Sequence, residues 1–101
     1  MEIEFELNGV LFRWDTEKEQ SNTRKHDGIT FKRAAQVFFD PFVIGEDASR
    51  NGESREAAIG VDFDFRVLYV VHIEIEDDYI RIISARKAES PERKRYENGN
   101  D

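Results

Sequence analysis

The stretch Arg66–Ala88 reads RVLYVVHIEIEDDYIRIISARKA, and its reading decides the fold. Two runs rich in Val, Ile and Tyr flank Asp77-Asp78, the composition of half-buried or buried strands. Asp77-Asp78 predicts a two-residue turn, without the glycine that makes such a turn a strong signal. That turn sets a register: Glu76 opposite Tyr79, Glu74 opposite Arg81, His72 opposite Ile83 and Val70 opposite Ala85. Alternation then sorts the faces. Val67, Tyr69, Val71, Ile73, Ile75, Ile80 and Ile82 form an apolar face expected to receive helices. Arg66, Leu68, Val70, His72, Glu74, Arg81 and Ile83 form a mixed face, with cations, a carboxylate and an imidazole over an aliphatic floor. Solvation alone does not require arginines there, so function is expected on that mixed face.

Working outward, the N-terminus alternates Ile3, Phe5 and Leu7 with Glu2, Glu4 and Glu6. Asn8-Gly9 follows, the strongest short hairpin signal, because both residues accept positive φ. A two-residue loop pairs Leu7 with Val10, Phe5 with Phe12 and Ile3 with Trp14, all on one face. Asp15 is a cap for a helix from Thr16 to about His26. That segment is almost devoid of apolar residues, so packing alone does not hold it, and a polar face is expected to meet a ligand or partner. Gly28 is a stop signal. Thr30 caps a second helix, Phe31 to about Phe39, with Phe31, Ala34, Ala35 and Phe38 at helical spacing. Asp40-Pro41 ends it.

Residues 42–54, with Gly45, Asp47, Ser49, Asn51 and Gly52, read as a mobile loop. Glu56 to Phe63 predicts a strand that turns through residues 62–65 into the central hairpin. Ser90 and Pro91 supply an N-cap and a first-turn proline for a helix from about Pro91 to Glu97. Residues 98–101 are expected to fray. The expected fold class is α+β: an N-terminal hairpin and two helices, then a three-stranded antiparallel meander and a last helix, with the helices on the apolar face.

Composition narrows the function classes. A chain of 101 residues with no repeat or linker is one domain, 1–101. Its aromatic fraction of 12% supports a packed core, and its charged fraction of 37% an ionic surface. Zero cysteines exclude disulfides and thiolate metal sites. No run approaches the roughly 20 apolar residues of a membrane span, and no signal peptide is visible, so a cytoplasmic location is expected. No His/Asp/Glu set has metal-ligand spacing, and no cofactor motif is present. The net charge of −7 argues against non-specific nucleic-acid binding. Yet residues 81–101 carry six Lys/Arg against four Asp/Glu, so a local phosphate site on an acidic body is compatible with the distribution.

An ordered series of residues resembles the BrnT family of type II toxin–antitoxin toxins. It runs through Phe12-Arg13-Trp14-Asp15, Lys18, Asn22, Lys25-His26, Gly28-Ile29, Phe31, Ala35, Val37-Phe38 and Asp40-Pro41. It continues through Arg66–His72 and Arg81–Ala88 to Glu92-Arg93 and Tyr96-Glu97. Asp27 is an insertion relative to the family pattern, and the strand before Phe12 is longer. The resemblance implies a RelE-like fold, metal-independent RNA cleavage without a cofactor, and a BrnA-like antitoxin joined with the toxin in a heterotetramer. It also implies His26, Arg66 and Arg86 as catalytic residues, with Lys25, Arg81 and Lys87 binding substrate. Each has a plainer reading. His26 caps a helix C-terminus, Lys25 is a solvated charge, Arg66 a turn arginine, and Arg81 the cross-strand partner of Glu74. His72 reads as a strand histidine satisfied by its neighbours. Alternation puts Arg86 on the helix face, from which it reaches the site only if the strand bends near Ala85. Arg93, Lys94 and Arg95 read as a solvated face, and Tyr96 as packed on the sheet. Two functions follow: a toxin ribonuclease, or a non-catalytic module on the same scaffold that only binds an antitoxin.

Overall fold

A computed structural model of the chain describes residues 1–99. The order is β1 (Glu2–Leu7), β2 (Val10–Asp15), α1 (Thr16–Lys25), α2 (Phe31–Ala35), a 3-10 turn (Gln36–Phe39), β3 (Ile44–Asp47), β4 (Glu56–Val61), β5 (Val67–Ile75), β6 (Tyr79–Lys87) and α3 (Ser90–Asn98). The class is α+β, and the strands form one six-stranded sheet in the order β1-β2-β6-β5-β4-β3. The N-terminal hairpin has the expected register, Leu7 with Val10, Phe5 with Phe12 and Ile3 with Trp14. It joins the rest through parallel pairing of β2 with β6, where Phe12 meets Ile80 and Arg13 meets Arg81.

The expected mobile loop over 42–54 is corrected. β3 pairs antiparallel with β4, and the connection is an ordered arm. Ala48 N–H donates to Arg55 O at 2.9 Å, and Arg50 and Glu53 exchange backbone bonds of 3.1 and 2.9 Å. Asn51 and Gly52 take φ of 51° and 80° at its tip. This is the same turn chemistry as Asn8-Gly9, but its polar flanks hide the strands. β4 ends at Val61, two residues before the expected Phe63. α3 is capped at Glu89, one residue before the expected Ser90, and reaches Asn98. Of the tail expected to fray, Asn100 and Asp101 lie outside the described residues.

The central hairpin departs from the expected register. Ile75 pairs with Tyr79, Glu74 with Ile80, Ile73 with Arg81 and His72 with Ile82, so the loop has three residues, not two. A bulge at Ile83 restores Val71 with Ser84, Val70 with Ala85 and Tyr69 with Arg86. Asp77 in the left-handed region, φ 60°, makes the longer loop.

The assignment of faces is reversed for β5, while at the start of β6 it holds, with Ile80 and Ile82 toward the core and Arg81 on the other side. Leu68, Val70 and His72 are buried together with Phe12, Trp14, Ile82 and Ala85. Leu68, Val70 and His72 belong to the supposedly mixed face of β5, and Ile29, Phe31, Ala34, Ala35 and Val37 join them in the core. Small residues let the helices approach: a Cβ on Gly60 would stand 3.2 Å from Asp40 Oδ2, Val37 O and Val43 Cγ2. Tyr69, Val71 and Ile73 are only half-buried on the opposite face. β5 is apolar on both sides, so its own alternation does not choose between them.

The polar α1 is held by its polar groups. Asn22, buried, donates to Ala85 O at 2.8 Å and accepts from Ala85 N–H at 3.0 Å. It thereby acts as a substitute strand where β2 no longer flanks β6. Glu19 accepts from Trp14 Nε1 at 3.0 Å and from Phe31 N–H at 2.8 Å. The side of α1 expected to meet a partner thus bonds the protein's own backbone. α3 is not with the other helices. Ile44, Ile59, Tyr69 and Arg86 form one row across four strands. α3 lies against that row: Glu92 meets Arg86, and a Cβ on Gly99 would be 3.2 Å from Ile44.

Candidate active site

A cleft of about 380 Å³ opens on the face away from α1 and α2. Its floor is Tyr69 and Val71 of β5 with Ser84 and Arg86 of β6; His26 and the arm residues Ala48, Ser49, Arg50 and Arg55 wall it. Three arginines and one histidine line it, and no carboxylate among the described lining residues, although the chain has 22 acidic residues. Such a concentration of one sign of charge attracts an anion.

Each wall has a local cause. α1 ends at Lys25, and His26 N–H closes on Asn22 O at 2.9 Å. Asp27 and Gly28 follow with φ of 54° and 74°, reversing the chain beside β6. Asp27 Oδ2 lies 4.0 Å from Lys87 Nζ, both exposed, at the β6 side of the sheet. His26 is half-buried and Lys25 exposed. The arm stands at the other side, carried by β3 and β4.

Arg86 shows why the face matters. Its guanidinium lies 4.2 Å from the centre of the Tyr69 ring. It makes two bonds to Glu92, Nη1–Oε1 at 2.7 Å and Nη2–Oε2 at 2.8 Å. Glu92 holds the Arg86 pKa above its ordinary value despite the opposing effect of partial burial. Burial pushes the Glu92 carboxyl up, but its bonds from Arg86 and from the Glu89 backbone outweigh this and lower it. The planar fork and the aromatic floor fix Arg86 in one orientation.

Among the residues singled out from sequence, His26 and Arg86 come together in the cleft, with Lys25 next to His26 and Lys87 next to Arg86. Arg66 and Arg81 do not line it. Arg66 stands at the edge of the helix-covered face, its Nε 3.0 Å from the buried Asp62, which also faces Arg33 at 3.4 Å. Burial raises the Asp62 carboxyl, yet bonds from the Arg66 backbone and side chain and from Asp64 N–H leave it below the carboxylate range. Arg81 is on the cleft's face but pairs with Glu2, not with the expected Glu74. His72 is a core residue, with its ring 4.7 Å from Phe38 and Nδ1 3.2 Å from Val70 O. Ile83 supplies the bulge that puts Arg81 and Arg86, five positions apart, on one face. The bulge lies just before Ala85, and Arg86 keeps Tyr69 as its cross-strand partner on the face that α1 and α2 leave uncovered.

Sequence reading missed Arg50, Arg55 and Tyr69. The signal for the first two is Asn51-Gly52 between them. Tyr69 was visible only as a strand aromatic. Among the described residues, no group of three or more His, Asp or Glu is placed to hold a metal ion, and no helix is long and apolar enough to cross a membrane.

A sequence model of the ribonuclease toxin BrnT, of type II toxin–antitoxin systems, matches residues 14–92. The chain belongs to the BrnT family. The match spans both sides of the cleft, from α1 through the arm to Glu92. Ribonuclease toxins of this class imply an RNA target and an antitoxin partner. Among curated proteins, no match was found.

Proposed function

We propose that this BrnT-family chain is an active, metal-independent endoribonuclease with its reaction centre between His26 and Arg86. The observation that carries this reading is the cleft lined by arginines and a histidine with no carboxylate. The substrate supplies its own nucleophile. The ribose 2′-oxygen attacks the neighbouring phosphorus, the bond to the 5′-oxygen breaks, and the products are a 2′,3′-cyclic phosphate and a 5′-hydroxyl. One proton leaves the 2′-hydroxyl and one reaches the 5′-oxygen. His26 is the side chain of the cleft assigned to carry the proton. Arg86 stays charged and stabilises the extra negative charge on the phosphate. Lys25 and Lys87 flank the site as substrate-binding cations. Arg66 and Arg81 stay outside the assignment, because Asp62 and Glu2 hold them away from the cleft. We read the fold as RelE-like, and a BrnA-like antitoxin, assembled with the toxin as a heterotetramer, as the partner that covers the cleft. Leu68, Val70 and His72 of the supposed mixed face are core and are not available for docking.

The test is RNA cleavage by purified protein with EDTA present, with detection of the cyclic phosphate. His26→Ala and Arg86→Ala are expected to lower the rate, about 10²–10³-fold for the lost charge stabiliser. Parental rates from folded variants would overturn the site, and metal-restored activity after chelation would overturn the mechanism. A second reading is favoured by one contact: Glu92 already pairs with Arg86 through two bonds in the free chain. A toxin-fold module that only binds antitoxin would neither cleave RNA nor arrest growth when expressed alone.

A further inference from the structure

We infer that the arm between β3 and β4 is a second phosphate-binding subsite, which holds the single-stranded RNA backbone beside the scissile phosphate through Arg50 and Arg55. The inference rests on the ribonuclease reading but concerns residues outside the His26–Arg86 pair.

The cleft runs across the sheet, and its two ends carry separate cations. Arg86 and His26 stand on the β6 side, Arg50 and Arg55 on the arm. Between them lies a floor of Val71 and of Tyr69, whose ring carries the Arg86 guanidinium. Backbone bonds between Ala48 and Arg55 and between Arg50 and Glu53 brace the arm, and its turn is formed by residues that accept positive φ. Ser49 is tied in as well, its Oγ donating to Asp47 at 2.6 Å and accepting from Arg55 N–H at 3.2 Å.

The two arginines have donors to spare. Arg55 reaches Glu53 with Nη2 at 2.8 Å, but its Nε is buried without a hydrogen-bond partner among the described residues. A buried N–H without an acceptor is costly, and a phosphate oxygen is an acceptor of the required charge. Arg50 is exposed at the mouth and, among the described residues, makes only backbone bonds to Glu53. Arg86, in contrast, is already compensated by Glu92. Arg50 is therefore the cation of the cleft most open to a ligand, and Arg55 beside it holds an unsatisfied donor.

The probe is a fluorescent single-stranded 2′-O-methyl RNA, which binds but lacks the attacking hydroxyl. Its affinity is measured against salt concentration for the parent, Arg50→Ala, Arg55→Gln and the double variant. Each arginine lost should reduce the slope of log affinity against log salt by about 0.7, and the double variant by about 1.4. With cleavable RNA the double variant should raise KM and leave kcat near the parent's, the mark of lost uniform binding. Because Arg55 is partly buried, Arg55→Lys is the control: it should restore the slope if charge is what acts. A folded double variant with the parental slope and KM would overturn the subsite, as would an Arg55→Lys variant that fails to restore the slope. If the parent cleaves while the double variant keeps the parental slope, only the subsite fails. If the parent binds with the expected slopes but never cleaves, the subsite stands and the ribonuclease reading fails.

Discussion

Asn22 shows how one side chain can stand in for a strand. It pairs both backbone groups of Ala85 in a site from which water is excluded. Asn22→Leu keeps the volume but leaves an N–H and a carbonyl unsatisfied, each at a cost of about 1–3 kcal/mol. Denaturant unfolding should therefore show a loss of at least about 2 kcal/mol. Asn22→Asp should fare no better near neutral pH, because a carboxylate faces Ala85 O, and should recover partly in acid as it gains a proton to donate. His72 gives a second expectation. Burial lowers its pKa, more than the Val70 carbonyl and the nearby Glu56 and Glu74 raise it. The fold thus keeps His72 neutral, while the unfolded chain takes up a proton near the ordinary value of about 6.5. Its contribution to stability is whole above about pH 6.5 and is lost as pH falls through the lower folded value. His72→Leu should flatten the fall in urea midpoint over that window. An unchanged slope would assign it to other groups.

At the scale of elements, α3 is fastened by three polar contacts, not by an apolar stripe. Glu92 bonds Arg86, Arg95 bonds Glu46 at 2.9 Å, and Tyr96 Oη donates to Asp40 Oδ2. The Tyr96 hydroxyl is pushed up to about 12, by burial first and then by Asp40. Tyr96→Phe should cost about 1 kcal/mol of stability without changing kcat, since Tyr96 is not in the cleft. Glu92 joins stability to the site. Its lowered pKa means that its contribution is present above the ordinary carboxylate range and lost as pH falls through the folded value. Glu92→Gln keeps an acceptor for the Glu89 N–H but removes the charge opposing Arg86. It should abolish that acid sensitivity, which a pH series of thermal melts would detect. On the ribonuclease reading, it should also tighten binding of uncleavable RNA.

For the whole molecule, the decisive quantity is the distribution of charge. A net −7 body repels RNA at long range, while the cleft offers only cations at contact. β1 contributes to this division: Glu2 and Glu4 take up Arg81 and Arg13, leaving the arginines of the cleft as the local positive field. Cleavage is expected to weaken with added salt, as phosphate contacts are screened, and to be indifferent to EDTA. Expression alone should arrest growth, and co-expression of the antitoxin should relieve it. Arrest by a His26→Ala/Arg86→Ala double variant equal to the parent's would disconnect toxicity from the proposed centre.

The sequence by itself determined what depends on neighbours in the chain. The register of the N-terminal hairpin followed from Asn8-Gly9 and alternation, the helix caps from Asp15 and Thr30, and the family from an ordered series of residues. What only the tertiary structure decided depends on neighbours in space. β5 is apolar on both faces, so the covered face was chosen by where Phe31, Ala35 and Val37 pack and by the close approach at Gly60. The Ile83 bulge arises from a three-residue loop at one end of the hairpin and a fixed pairing of Val70 with Ala85 at the other. That bulge and the covering of the opposite face place Arg86 in the cleft and leave Arg66 outside it. Asn51-Gly52 was visible as turn chemistry, but its polar flanks read as a loop, and the use of the arm was hidden because Arg50 and Arg55 acquire meaning only opposite His26 and Arg86.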